Sequence, residues 1–402
     1  MLKSTNRINR SIRSLMTKKT QPPKQERLVS VSLFSGAMGL DLGFERAGFM
    51  PVFAADNMSA AIATIRANRP EIPLFEDDIR ELRGEAIRAM TGLTDFDVLI
   101  GGPPCQSFST AGSRKSVDDH HTGPLVFEFI RLVEELRPSA FLMENVKGLL
   151  SASLKWRALP YNNNGKRIDE WYGSVMRELV SRVNAIGYSV ACAELNAADY
   201  GIPQRRIRVF LMGFRDKLLP TFPVPTHSET GDLFRKPWET IRPYISHLSD
   251  DTSHCARFSP RKLSYLRKIP SGGNWRDLSL QDQMASMGRA FHAKGGRSGY
   301  WRRLSWEEPA PTILTEPQNA STALCHPDLD RPLSVRECAV LQTFPENWKF
   351  AGRGAEQYRL IGNAVPVRLA EALGRHMRAL LAREVQATSA CREDVIMMAA
   401  TG

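Results

Sequence analysis

The sequence predicts an open, doubly wound α/β sheet joined to a smaller, irregular second domain. Three observations carry that reading. Apolar, strand-like runs alternate with amphipathic helical stretches through the first half of the chain; a glycine turn links the first run to the first helix; and from Pro223 to about Trp301 the periodicity gives way to Pro, His, Ser and Gly with scattered aromatics.

The elements follow in order. Residues 28–34 are apolar and β-leaning and meet Ser35-Gly36-Ala37-Met38-Gly39 before a helical stretch over 40–48, the strand, turn and helix that open such a sheet. Residues 52–55 form a second short strand ending in Asp56, about twenty residues past the turn, where this architecture places an acid on a ribose. Asp77-Asp78 closes the next short strand, ahead of a helix expected to begin at Ile79. Asp56 and Asp78 also fit helix N-caps; together with the glycine turn they point to an adenosine-type cofactor. Phe96-Asp97-Val98-Leu99-Ile100 reads as another strand. A helix over 125–136 presents Val126, Phe129, Ile130 and Val133 on one face and stops before Pro138, after which the buried strand 140–143 delivers Glu144-Asn145-Val146. Residues 151–168, with Asn162-Asn163-Asn164-Gly165, read as a surface insertion. A helix near 169–186 and strands around 189–195 and 207–214 bracket Gln204-Arg205-Arg206-Ile207-Arg208.

Composition sets limits on function. At 402 residues, 42% hydrophobic and 24% charged, the chain is long enough for one large domain plus a smaller one. No run approaches the ~20 apolar residues of a membrane span, and the first residues lack the apolar core of a signal peptide, so a cytoplasmic protein is expected. Six cysteines lie far apart with no CxxC pair, which argues against a disulfide framework and a zinc site; no metal is expected. The net charge of +11 is concentrated: residues 1–28 carry +7 and residues 227–303 another +7, leaving −3 for the rest. A nearly neutral scaffold with two basic segments is the footprint of a protein that grips a polyanion, although basic tails also serve solubility alone.

Chemistry concentrates at strand ends. In Gly101-Gly102-Pro103-Pro104-Cys105-Gln106-Ser107, two glycines let the backbone turn off the strand and two prolines fix φ ahead of the sulfur, a loop suited to presenting a nucleophile. Cys105 and Glu144 both follow strand ends, where an open parallel sheet collects its ligands. A cysteine after a strand can serve packing alone, and Arg206 and Arg208 can be strand-edge charges.

Taken in order, Gly102-Pro103-Pro104-Cys105-Gln106, Glu144-Asn145-Val146, Gln204-Arg205-Arg206-Ile207-Arg208 and Gly362-Asn363-Ala364-Val365-Pro366 resemble the motif series of DNA (cytosine-5) methyltransferases of the prokaryotic modification type. The resemblance spans roughly residues 28 to 376. It implies a Rossmann-like methyltransferase sheet and S-adenosylmethionine as cofactor, with Cys105 the thiolate that adds to carbon 6 of a cytosine flipped out of the duplex. Glu144 would act as a protonated acid at ring nitrogen 3, with a raised pKa; Arg208 would contact the exocyclic oxygen and Arg206 support the site. For the cofactor it implies Phe34 near the adenine, Gly36 and Gly39 at the methionine end, Asp56 on the ribose, and Asp78 near the adenine amino group. Ile79, Pro103, Asn363 and Val365 complete the pocket. Two positions depart from the family pattern: Met38 stands where a second glycine is common, and Asn57 where a larger ring-stacking side chain is often found.

The division that follows is a basic tail over 1–27, a catalytic and cofactor-binding domain over 28–222, a target-recognition domain over 223–303, a return to the catalytic domain over 304–380, and a C-terminal tail over 381–402. The implied partner is double-stranded DNA, bound by a monomer, with a cognate restriction endonuclease acting separately. An RNA cytosine-5 methyltransferase or an inactive DNA-binding regulator are the alternatives. A nucleotide-dependent oxidoreductase leaves Cys105, Glu144 and the basic segment without a purpose.

Overall fold

The computed structural model describes residues 27–104, 125–152, 173–215, 218–248, 255–292, 299–319, 321 and 323–400, the side chains of 384–400 excepted. Cys105, the basic N-terminal segment and most of the expected insertion at 151–168 lie outside the described residues.

The first half alternates as expected: β1 (Leu28–Leu33), α1 (Gly39–Arg46), β2 (Phe49–Ala55), α2 (Ser59–Asn68), β3 (Leu74–Phe75), α3 (Gly84–Thr91), β4 (Val98–Gly101), α4 (Leu125–Leu136), β5 (Ala140–Asn145), α5 (Ser174–Ala185), β6 (Tyr188–Asn196), β7 (Gln204–Arg205) and β8 (Ile207–Arg215). The main sheet of the described residues runs β3-β2-β1-β4-β5-β8-β6. Its first five strands are parallel, and β8 runs antiparallel between β5 and β6. Strand order therefore reverses between β1 and β4, which opens a crevice at their carboxyl ends. Because β8 is antiparallel, it starts at that same edge: Asn145 pairs with Val209 and Glu144 with Phe210.

Burial on both faces fixes the central strands. Leu99 of β4 joins one core layer with Phe129, Val133 and Phe141, while Val98 and Ile100 join the opposite layer with Phe44, Leu142 and Phe210. Each such side chain contributes about 1.5–3 kcal/mol by leaving water. In β2, Pro51 stands opposite Ser30 and has no N–H to donate, and the β1–β2 register shifts at that point.

One boundary differs from the sequence expectation. No helix begins at Ile79; instead Asp78 Oδ1 accepts from the Arg80 backbone N–H at 3.0 Å, and the chain makes two further turns before α3 starts at Gly84. The local side-chain bond of Asp78 competes with helix initiation and wins.

The second half is built from short pieces: β9 (His227–Ser228), β10 (Lys236–Pro237), α6 (Arg242–Ile245), α7 (Pro260–Leu266), α8 (Leu280–Met287), β11 (Ala310–Pro311), α9 (Val335–Leu341), α10 (Gly354–Asn363) and α11 (Val367–Ala400). A compact core of Phe258, Leu266, Ile269, Trp275, Leu278 and Trp301 holds the middle of this region. Ile241, Ile245 and Leu248 pack elsewhere, with Leu304, Ile313, Leu341 and Leu360 of the returning chain. That return adds β11 beside β7, with Ala310 opposite Gln204, and α11 lies along α1 and continues as helix past residue 381.

Candidate active site

The turn after β1 takes unusual backbone angles. Phe34, Gly36 and Met38 have φ of 55°, 53° and 62°, all in the left-handed region. Such angles cost a non-glycine residue roughly 1–2 kcal/mol. Met38 thus keeps the angle that a glycine would take freely, and its side chain, 1% exposed, packs with Ala54, Ile65 and Ile72. That burial, worth about 1.5–3 kcal/mol, offsets the strain and explains why the turn tolerates methionine.

Asp56, at the end of β2, ties this turn down. Its Oδ2 accepts from the Gly36 N–H at 2.8 Å and its Oδ1 from the Met58 N–H at 2.9 Å. Burial pushes its pKa up against these two donors. Each oxygen keeps a lone pair beyond the backbone bond it accepts.

Around the turn lies a cleft of about 330 Å³, in the range of small-molecule sites. It brings together Phe34, Gly36, Gly39, Asp56, Asn363 and Val365, and Glu144 also faces it. Gly39 is required there by close approach: a Cβ would stand 2.3 Å from the Val365 carbonyl oxygen. A second hollow of about 100 Å³ adjoins this cleft, sharing Phe34, Asp56 and Pro104 and adding Asp78 and Ile79. Asp78 is ion-paired with Arg80, whose guanidinium holds its carboxyl below the usual range. Pro103 takes a different part, since its carbonyl accepts from Asn145 Nδ2 at 3.2 Å, and its neighbour Pro104 lines the cleft. The loop leading to Cys105 is thereby fastened to the end of β5.

Glu144 sits 8% exposed at that end. Arg208 Nε lies 3.1 Å from its Oε1, and a Cβ at Gly102 would come within 3.2 Å of its Oε2. Desolvation raises the Glu144 pKa and outweighs the attraction of Arg208 and Arg206. The same burial lowers both arginines, most strongly Arg206. The dry environment therefore pushes the Glu144 carboxyl towards holding its proton, against the pull of the two guanidinium groups beside it.

Arg206 is 1% exposed and joins separate parts of the chain. Its Nη1 donates to the Ile313 carbonyl at 3.2 Å and its Nη2 to the Gly362 carbonyl at 2.9 Å, while its backbone N–H reaches Asn196 Oδ1 at 3.1 Å. Gln204 extends the joint: its Oε1 accepts from the Ile313 N–H at 2.9 Å, and its Nε2 donates to Gln342 Oε1 at 3.0 Å. Gln342 in turn donates to the Ile361 carbonyl at 2.7 Å. These contacts set the wall carrying Asn363 and Val365 against the start of β8.

Sequence reasoning missed Gln342 and Asp41. Asp41, in the first turn of α1, is 2% exposed and lines the cleft, and burial raises its pKa to about 7. A charged residue between Leu40 and Leu42, where the helix turns inward, was its one signal. Gln342 sits in a segment with no distinguishing pattern.

A family model described as C-5 cytosine-specific DNA methylase matches residues 28–379. The Type II methyltransferase M.PspPI of Psychrobacter sp. is 36% identical over 358 residues, covering 86% of this chain and 77% of that protein. Type II methyltransferase M.Sau96I of Staphylococcus aureus is 34% identical, covering 86% of this chain and 74% of that protein. Among solved structures, a putative DNA modification methyltransferase encoded within an Escherichia coli prophage superposes with a TM-score of 0.62 at 25% identity, covering 88% of this chain and 99% of that one.

Proposed function

The chain belongs to the C-5 cytosine-specific DNA methylases, and from that premise we propose the following mechanism, sites and partners for its methylation of cytosine in a specific double-stranded sequence. The observation that carries it is the placement of Glu144 and Arg208 in a dry corner of the same cleft that Asp56 and the Gly36–Gly39 turn enclose.

S-adenosylmethionine fits that cleft. Its ribose hydroxyls find acceptor capacity at Asp56, its cationic end meets a wall that carries Asp41 and Asp56, and the missing Cβ at Gly39 lets the Val365 carbonyl close against the turn. Asp78 and Ile79 would receive the adenine from the adjoining hollow, with Phe34 between the two spaces. When bound, the cofactor supplies an electrophilic methyl group.

The chain's own residues then prepare cytosine to accept it. Carbon 5 of cytosine is a poor nucleophile until the ring is activated. The Cys105 thiolate adds to carbon 6, and electron density moves through the ring to nitrogen 3, where Glu144 donates its proton. Carbon 5 is then enamine-like, the state in which it would accept a methyl group as that group's bond to the cofactor's sulfonium breaks and leaves a neutral thioether. Loss of the carbon 5 proton to a base reforms the 5,6 double bond and expels the Cys105 thiolate, and the nitrogen 3 proton returns to Glu144. Arg208 holds the exocyclic oxygen; Arg206 keeps β8 in register with the cofactor wall.

A cytosine inside a duplex is closed to this attack, so the base must leave the stack at a cost of a few kcal/mol. The basic region over 223–303 is proposed as the domain that supplies the compensating grip and reads the target sequence, and the tail over 1–27 as an added non-specific contact. The catalytic domain would then comprise 28–222 and 304–380. Among the described residues no helix is long and apolar enough to cross a membrane. We place the protein in the bacterial cytoplasm as a monomeric modification enzyme, paired with a restriction endonuclease that acts separately.

The test is incubation with S-adenosylmethionine and duplex DNA carrying 5-fluorocytosine. A covalent adduct at Cys105 is expected, because fluorine cannot leave as the proton does, and Cys105→Ala should form none. Continued methyl transfer by Cys105→Ala would refute the mechanism.

A further inference from the structure

Between β7 and the turn Gly272–Gly273 lies a second cleft, of about 420 Å³, outside the active site. Arg205, Arg302, Asn274, Ser305 and Glu308 line it. It is lodged at the junction of the two halves of the molecule: Pro311 of the returning chain pairs with Arg205, and Thr312 Oγ1 donates to the Arg205 carbonyl at 2.9 Å. Arg205 lies three residues from Arg208, on the order of 10 Å along an extended chain.

The charges here are arranged against their own electrostatics. Arg302 is half-buried, and both desolvation and the neighbouring Arg205 cation lower its pKa. Two like charges sharing a partly dry cleft raise its energy unless an anion sits with them. In the free protein one does: Glu308 Oε2 lies 2.7 Å from Arg205 Nη2. Both partners of that pair are largely in water, their side chains 43% and 60% exposed, so the pair is weak and readily exchanged.

The adjacent Arg303 explains why the cleft keeps its shape. Its guanidinium is fully engaged, donating to the carbonyls of Leu266, Ile269, His326 and Leu329 and to Asp330 Oδ1 at 2.7 Å. Gly272, with φ of +80°, hydrogen-bonds the Leu304 carbonyl at 3.0 Å, and Gly273 accepts from Arg303 N–H at 3.0 Å. The wall beside Arg302 is thus a rigid turn with little side-chain bulk, which lets a large anion approach the backbone closely.

We propose that this cleft seats a backbone phosphate of duplex DNA flanking the flipped cytosine, and that Glu308 is a built-in competitor that occupies Arg205 until the phosphate displaces it. The inference rests on the DNA-methylating function above. Glu308 lowers the affinity for any DNA equally, so it acts on loose, sequence-independent binding. A phosphate contact carries no base information, which separates it from the residues that read the sequence.

Four variants of the full chain test this, with a 30-base-pair duplex of random sequence as probe and binding measured across a range of salt concentrations. Glu308→Gln should tighten binding about two- to fivefold at low salt, the strength of an exposed ion pair. Arg205→Gln should weaken it about tenfold and reduce the slope of log affinity against log salt by about one. The double variant should behave as Arg205→Gln alone, because Glu308 then has no cation to block. The idea is overturned if Glu308→Gln binds no tighter, if Arg205→Gln keeps the full salt slope, or if Arg302→Gln shifts which sequences are enriched from the random pool instead of weakening all alike. S-adenosylmethionine binding by calorimetry, unchanged in each variant, verifies the fold. Failure of the unaltered protein to bind duplex DNA would instead refute the DNA reading itself.

Discussion

The two clefts of this molecule are opposites in charge and in construction. The one at the β1/β4 crevice carries three carboxyl groups, Asp41, Asp56 and Glu144, and they hang from strand ends and the first turn of α1. The one between β7 and the Gly272–Gly273 turn is basic, walled by Arg205 and Arg302, and its groups hang from turns and an edge bridge. A buried sheet positions reactive groups to fractions of an ångström, which bond-making needs; short loops around a small core give a surface whose contacts can vary, which reading different sequences needs. In both halves one buried arginine ties the framework together, Arg206 through its two terminal nitrogens and Arg303 through its whole guanidinium.

That contrast can be broken by variants that act on one half and should leave the other alone. Glu144→Gln has the largest expected effect, a fall in the methylation rate of about 10³-fold with DNA affinity intact. Parallel loss of DNA binding would show that the halves are not separable. Because burial raises the Glu144 pKa, the unaltered enzyme should lose rate as pH rises past that value, and Glu144→Gln should lack this limb.

Asp41 sharpens the point through stability. Its folded pKa of about 7 exceeds the ~3.9 of an unfolded chain, so the folded protein binds the proton more tightly. Stability is therefore highest below about pH 4 for this group and declines as pH rises towards 7, remaining lower above it. Asp41→Asn should recover up to about 4 kcal/mol at pH 8 and flatten that decline in urea melts. An unchanged pH profile would mean that Asp41 has a charge partner in solution. The smallest effect is expected from Arg303→Lys, which keeps the charge and loses the planar fork. About 2 kcal/mol of protection from hydrogen exchange should disappear over 258–303, with S-adenosylmethionine affinity unchanged.

How much was legible in the sequence follows the same division. Strands β4 and β5 were readable because burial on both faces demands continuous apolar runs, β1 because its Leu and Val alternate with small serines, and Glu144 because it comes at the end of β5. The reversal of β8 was not, since strand direction is set by where the connecting chain returns. The helix expected at Ile79 failed because Asp78 bonds to Arg80 locally, an alternative that looks identical to an N-cap in sequence. Asp41, Arg303 and Gln342 escaped notice because a polar residue's burial depends on what the rest of the chain packs over it. The Arg205–Glu308 pair spans 103 positions, beyond the reach of any local pattern.

The contact between Gly39 and the Val365 carbonyl has a consequence for how the enzyme comes into being. The first turn of the sheet leaves the ribosome well before the wall that closes it, which is synthesised more than 300 residues later. At roughly 5–20 residues per second, that delay is about 20–60 s. During translation the growing chain carries β1 to β5 long before Val365 closes the cleft, so on the proposed mechanism a nascent polypeptide would not mark DNA. In a cell acquiring this gene for the first time, methylation starts only when finished chains accumulate.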